Sequence, residues 1–284
     1  MAIPIRFIKC SGAGNDFVLI DNMDGSVAIG GAELAVALCS RPFGVGADGL
    51  LIMEKSHRAD FAMKYYNADG SYGGMCGNGG RCIAMFAFRA GYAGPSMRFD
   101  ALDTVYSAEI AGSTVRLRMK DPSGFRTGLR FPLDRGEVEA AFLDTGSPHL
   151  VLFTADLEQV DVLGLGKTLR FRPELAPEGA NVNFVRREGP SEIAVRTYER
   201  GVELETLACG TGSVAAAVVS SLLGHCVAPV TVRVRSGESL LVRFEKKDDR
   251  VTDVVLEGSA HMLFSGNALY DPLSHSLESL QTLT

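Results

Sequence analysis

No stretch of this chain reaches the roughly 18 consecutive apolar residues that a membrane-crossing helix needs. The N-terminal Met-Ala-Ile-Pro-Ile-Arg-Phe lacks the charged start, apolar core and small-residue cleavage site of a secretory signal. Positive charge is short too: 28 Lys and Arg stand against 34 Asp and Glu, a formal net charge of −6 that offers no electrostatic footprint for nucleic acid or an anionic membrane. There is no Walker loop, no CxxC pair and no cluster at metal-ligand spacing, so neither metal nor nucleotide is expected. These absences lead to the expectation of a cytoplasmic globular protein, in which the six cysteines are thiols rather than structural disulfides.

What is present is glycine around cysteine. The stretch Arg196-Thr-Tyr-Glu-Arg-Gly-Val-Glu-Leu-Glu-Thr-Leu-Ala-Cys-Gly-Thr-Gly-Ser213 sets Cys209 on a glycine turn before a long apolar segment that ends at Gly224. An upstream stretch, from Tyr65 to Cys82, repeats the grammar: Cys76 matches Cys209, Gly77 matches Gly210, Asn78 matches Thr211, and Gly79 matches Gly212. Cys82 falls opposite Ala215, inside the following helix, so Cys76 and not Cys82 is the equivalent of Cys209. Each segment after its cysteine turn is apolar on every side, the mark of a helix wrapped by other elements.

With 284 residues the chain suits two domains. The strand and helix patterning predicts an α+β protein of two pseudo-symmetric lobes, each a mixed or antiparallel sheet or barrel around a central apolar helix, with the active site in the cleft between them. The first lobe spans 1–122 and is completed by 262–284; the second spans 123–261. Asp121-Pro-Ser-Gly-Phe-Arg-Thr-Gly128 reads as the linker. A short helix capped by Asp156 and running through Leu163 is expected, as is an irregular, loosely attached tail from Ser274. The segment Arg81–Arg89 is expected as helix after a short glycine turn.

A cysteine at a helix start meets the positive end of the helix dipole and unpaired backbone N–H groups, which favour its thiolate. The same N–H groups bind an anion, and glycine lets that anion approach. Two such ends converging would hold an α-carboxylate and stabilise the charge that grows as the neighbouring Cα–H leaves. Inverting a stereocentre needs a base on one face and an acid on the other, and one thiolate with one thiol supplies both.

The motifs Gly-Ala-Gly-Asn15-Asp-Phe, Tyr-Asn67-Ala-Asp-Gly-Ser, Met-Cys76-Gly-Asn-Gly-Gly-Arg-Cys, Gly-Ser-Pro-His149, Asn181-Val-Asn-Phe and Glu199-Arg200-Gly with Leu-Ala-Cys209-Gly-Thr-Gly follow one another along nearly the whole chain. In this the sequence resembles the diaminopimelate epimerases. The resemblance implies interconversion of LL- and meso-2,6-diaminopimelate on the lysine and peptidoglycan route, without cofactor, in a homodimer. It implies that Cys76 and Cys209 are the acid–base pair, and that Gly77, Asn78, Gly210 and Thr211 cradle the reacting carboxylate. Asn15 and Glu199 would lie near the reacting ammonium, with Asn67, Asn181 and Arg200 reading the distal end, where a guanidinium fork matches a carboxylate. Three features depart from the family pattern: Gly49 stands where many members have glutamine, Ser147 where they have asparagine, and the segment Val202-Glu-Leu-Glu-Thr206 is one residue longer than the shortest form.

Against these readings stand plainer ones. Cys10, Cys39, Cys82 and Cys226 are read as small buried hydrophobes. His149 is read as orienting its loop or a cleft side chain rather than as a base. The glycine loops at Gly12–Gly14 and Gly44–Gly49 read as turns. The departures at Gly49 and Ser147 keep open another cofactor-independent amino acid racemase on the same scaffold. A thiol redox or binding protein, with Cys76 and Cys209 as a regulatory disulfide, is the alternative from another class.

Overall fold

The computed structural model describes residues 2–133, 136–175, 177–248 and 250–278. In chain order its first elements are β1 (Ile3–Gly12), β2 (Asn15–Asp21), α1 (Gly31–Cys39), β3 (Gly49–Glu54), β4 (Phe61–Asn67), α2 (Gly77–Arg89), β5 (Ser96–Ala101), β6 (Thr104–Ala111) and β7 (Thr114–Arg118). There follow β8 (Ser123–Pro132), β9 (Glu137–Asp144), β10 (Pro148–Phe153), α3 (Val162–Arg170), β11 (Asn181–Gly189), β12 (Glu192–Glu199), β13 (Leu204–Thr206), α4 (Gly210–Leu222), β14 (Val230–Arg233), β15 (Ser239–Lys247), β16 (Arg250–Ser259), β17 (His261–Asp271) and β18 (Ser276–Leu277). The class is α+β. The chain divides into two units, one holding the residues up to Leu117 and those from Ser259 onward, the other Arg118–Gly258.

In the first unit β1 pairs antiparallel with β2 and with β17. The crossover through α1 brings β3 parallel to β2, β4 returns antiparallel to β3, and the crossover through α2 brings β5 parallel to β4. β5, β6 and β7 then run as an antiparallel meander. The second unit repeats this order. β9 and β10 are antiparallel, α3 leads to a parallel β11, β12 returns antiparallel, α4 leads to a β14 parallel to β12, and β15 and β16 follow antiparallel. β8 flanks β9 as β17 flanks β1.

Each unit is layered around its cysteine-led helix. α2 packs against β1, β2, β3, β4, β6 and β17, and α4 against β9, β10, β11, β12, β14 and β15. The period of two along a strand sends alternate side chains to opposite faces. Val18, Ile20, Leu50 and Ile52 therefore bury against Leu34 and Leu38 of α1, while Leu51 turns to the α2 side, within 3.0 Å of where a Cβ on Gly79 would stand. In the second unit Leu150, Val182, Phe184 and Tyr198 pack with Val162 and Leu169 of α3, and Asn183 turns towards Gly212 of α4.

Four expectations are corrected. α2 begins at Gly77, four residues before Arg81, because Cys76 caps it and because Gly79 and Gly80 pack closely against Leu51, Phe99 and Leu117. The glycine-rich stretch read as a linker enters β8, whose register against β9 breaks between Ser123 and Arg126 and again between Arg126 and Leu129. Those breaks accommodate Gly124 and Gly128, which have φ of 68° and 69°. The third helix starts at Val162 with Asp161 as its cap, the side chain accepting from Gly164 N at 2.8 Å, whereas Asp156 closes a turn onto the N–H groups of Glu158 and Gln159. Of the tail, Ser276 and Leu277 pair with Asp271 and Tyr270; residues 279–284 lie outside the described residues.

Candidate active site

Cys76 and Cys209 occupy one local structure, built twice. Cys76 is the N-cap of α2 with φ −115° and ψ 122°; Cys209 is the N-cap of α4 with φ −116° and ψ 115°. Extended backbone at this position turns the side chain back over the first helical turn. The Cys76 sulfur accepts from Gly79 N at 3.5 Å, and the Cys209 sulfur from Gly212 N at 3.4 Å. A backbone N–H and a helix dipole both favour negative charge on the sulfur that receives them.

In the first unit the side chains around this cap form a connected chain. Asn78, buried, donates from Nδ2 to Asn15 Oδ1 and accepts from Arg81 Nη2 at 2.9 Å, while Arg81 Nη1 also reaches Gly77 O at 3.3 Å. Asn15 in turn donates to Asp48 at 3.0 Å. Beyond it Arg41 bridges Asp16 and Asp48 at 2.8 and 2.7 Å, and the buried Lys9 ammonium meets Asp16 at 2.6 Å. Burial alone would raise the Asp16 carboxyl, yet hydrogen bonds from Arg41 and Lys9 outweigh it and hold Asp16 below the ordinary carboxylate value. The tight turn at Ala13 and Gly14, with φ of 57° and 100°, is thereby clamped to the loop that ends at Gly49. Asn67 lies at the end of β4, opposite Gly49 on β3.

In the second unit the polar groups come from the ends of β10, β11, β12 and β13, the loops beside them and the start of α4. Asn181 donates from Nδ2 to Ser147 Oγ at 3.0 Å and Pro148 O at 3.1 Å, and its Oδ1 accepts from the Arg200 backbone N–H at 2.8 Å. The Arg200 guanidinium reaches Glu178 at 3.0 Å. Glu199 accepts from Thr206 Oγ1 at 2.8 Å, and Thr211 lies beside the Cys209 sulfur, Oγ1 to Sγ 3.5 Å, with its carbonyl receiving Thr145 Oγ1 at 3.2 Å.

His149 is wholly buried, and its Nδ1 accepts from Asn183 Nδ2 at 3.1 Å, so the ring proton sits on Nε2, which has no partner among the described residues. Burial, joined by the positive charge of Arg200, lowers its pKa to about 3. The ring is thus neutral in the native protein and protonates near 6.5 once unfolded. Stability from this group is complete above about pH 6.5 and is lost as pH falls towards the native value, because the unfolded chain then binds the extra proton. Between pH 7 and pH 5 the unfolding free energy from urea titration should drop by about 2 kcal/mol more in the parent protein than in His149→Gln. Equal pH dependence in the two would count against a neutral buried ring.

Sequence reading passed over Asn183, Thr197 and Thr145. Asn183 is the hub of the second unit: Nδ2 also donates to Leu150 O at 2.8 Å and Oδ1 accepts from Thr197 at 2.9 Å. A signal existed in the alternation Asn181-Val-Asn183, which puts both amides on one face of β11. Asp48, Lys9 and Arg41 were passed over too, being loop and strand residues without motif. The plainer reading of the remaining cysteines fits Cys39, whose thiol burial pushes up to about 12, and Cys226, also raised by burial.

Solved structures share this fold. A phenazine biosynthesis protein of the PhzF family from Bacillus anthracis superposes with a TM-score of 0.73 at 13% identity, covering 93% of this chain and 99% of its own. A hydroxyproline epimerase from Agrobacterium vitis does so at 0.71 and 16%, covering 96% and 95%. The fold is therefore that of a two-unit scaffold found in epimerases and in PhzF-type proteins alike. The sequence model of diaminopimelate epimerase matches residues 7–121 and 141–263. The diaminopimelate epimerase of Chlorobaculum tepidum is 47% identical over 260 residues, 90% of this chain and 98% of that one. That of Aquifex aeolicus is 39% identical over 283 residues, covering 95% and 100%. This chain belongs to the diaminopimelate epimerase family.

Proposed function

We propose that the protein interconverts LL- and meso-2,6-diaminopimelate, on the route to lysine and peptidoglycan, with Cys76 and Cys209 acting on opposite faces of one α-carbon. The observation that carries this reading is the pair of equivalent N-capping thiols, each receiving a backbone N–H, in a chain of this family. In one direction the thiolate of one cysteine removes the Cα proton. The electron pair delocalises into the α-carboxylate, where the N–H groups of Gly77, Asn78, Gly210 and Thr211 meet the growing charge. The second cysteine, as thiol, delivers its proton to the other face, and the pair is left with its roles exchanged. The scheme requires no electron acceptor and no carbonyl cofactor.

In this reading Asn15 and Glu199 hold the reacting ammonium, and Asn67, Asn181 and Arg200 the distal end. Ser147 acts through Asn181, whose amide it receives, and His149 through Asn183. The protein works as a cytoplasmic homodimer. No helix among the described residues is long and apolar enough to cross a membrane.

The test is epimerisation in D2O. Because the proton delivered comes from a thiol that exchanges with solvent, product formed at early times should carry deuterium at the inverted Cα, about one per turnover. Inverted product that retains its original hydrogen would end the two-base reading. A panel of free amino acids separates the substrate assignment from the chemistry: turnover of a monocarboxylic amino acid with none of diaminopimelate would replace the substrate and keep the thiols.

A further inference from the structure

The ring of Tyr65 lies between two glycines. A Cβ on Gly49 would stand 2.5 Å from Tyr65 Cε2, and one on Gly73 2.4 Å from Cδ1 and Cε1. Gly49 thus has a local reason, since the space a side chain would need is filled by this ring and by the Tyr66 carbonyl, 2.6 Å from such a Cβ; the ring also packs edge-on to Phe17 at 6.0 Å. The tyrosine hydroxyl lies 2.8 Å from Asn67 Oδ1. Asn67 Nδ2 lies 2.9 Å from Ser71 Oγ, and Ser71 Oγ lies 2.6 Å from Asp69 Oδ1.

The direction of every bond in this chain follows from its last member. A carboxylate only accepts, so Ser71 spends its proton on Asp69 and must accept from Asn67. Asn67 therefore turns Nδ2 towards Ser71 and Oδ1 towards Tyr65, and Tyr65 donates. Asp69 keeps this polarity at neutral pH, its carboxyl held below the usual value by hydrogen bonds from the Ser71 side chain and backbone. We propose that Tyr65 is a positioning residue that locks the Asn67 amide with its second N–H as the outward group, a donor suited to the distal carboxylate of the substrate. The inference rests on the reading of Asn67 as a distal-end ligand.

A double-mutant cycle tests both levels separately. Tyr65→Phe keeps the ring and removes the donor. It should raise KM for diaminopimelate about fivefold, the worth of one net hydrogen bond, with kcat within about twofold and the thermal midpoint within a few degrees. Asn67→Ala should raise KM by about tenfold or more. In the Asn67→Ala background Tyr65→Phe should add nothing, because its partner is gone. An unchanged KM in Tyr65→Phe, or effects that multiply in the double variant, would overturn the role of Tyr65 and leave Asn67 in place. An unchanged KM in Asn67→Ala would remove the distal-end reading itself and this inference with it.

Discussion

Cys209→Ala should lower kcat for epimerisation by at least about a thousandfold, and Cys76→Ala should do the same in both directions of the reaction. General acid–base groups contribute roughly two to four powers of ten, and inversion loses one of its two indispensable partners in either variant. Alanine leaves each helix without its cap acceptor. That loss costs about 1 kcal/mol, since the N–H of Gly79 or Gly212 forfeits its sulfur partner at a helix start. Such a cost shifts a thermal midpoint by a few degrees and leaves the fold intact, so activity and stability separate cleanly. Residues that act as a unit are not additive, and the double variant should fall no more than about tenfold below either single one. Chiral chromatography of timed samples reads all three proteins. A single variant that retains a tenth of the parent turnover would remove that thiol from the chemistry, and two such variants would return the cysteines to the redox reading.

The duplication was legible because it is written in glycine, cysteine and apolar runs, and these are local. Cys76 and Cys209 were placed as helix-start residues from their flanking glycines, and both prove to be N-caps. The central helices were legible from residues apolar on every side. Less visible was where each helix begins, since Gly77–Gly80 look like breakers until their packing against Leu51 and Phe99 is known. The partners of the site residues were hidden for a different reason. Asn183 meets Thr197 at a separation of 14 residues and His149 at 34, through strand register that no motif records. The glutamine-to-glycine departure at Gly49 reads in sequence as a lost contact. In the structure the room beside Gly49 is taken by the Tyr65 ring and the Tyr66 carbonyl of the neighbouring strand.

Register also shows where the two copies stop being alike, and this sets the second large effect. Phe17 pairs with Gly49, and Leu51 with Tyr65, in the first unit; His149 pairs with Asn181, and Asn183 with Thr197, in the second. The shared strand order makes Leu51 and Asn183 equivalent, each lying under the third residue of its helix. A Cβ on Gly79 would approach Leu51 Cδ2 at 3.0 Å, the free end of an apolar side chain that a small rotation moves aside. A Cβ on Gly212 would stand 2.4 Å from Asn183 Oδ1 and 3.2 Å from the Cys209 sulfur. Asn183 has no such freedom. Its amide is fixed at both ends, to Leu150 and His149 on one side and to Thr197 on the other, and swinging it away strands buried polar groups at about 1–3 kcal/mol each. Gly79→Ala should therefore cost less than about 1 kcal/mol of stability, while Gly212→Ala should cost about 2–4 kcal/mol. Gly212→Ala should also lower kcat by about a hundredfold, because the methyl group forces the sulfur off the position its cap holds. Urea unfolding and initial rates on the two alanine variants measure the contrast. Equal losses would mean that the apolar support under Cys76 and the polar support under Cys209 are mechanically interchangeable, and that Asn183 does not fix the second thiol.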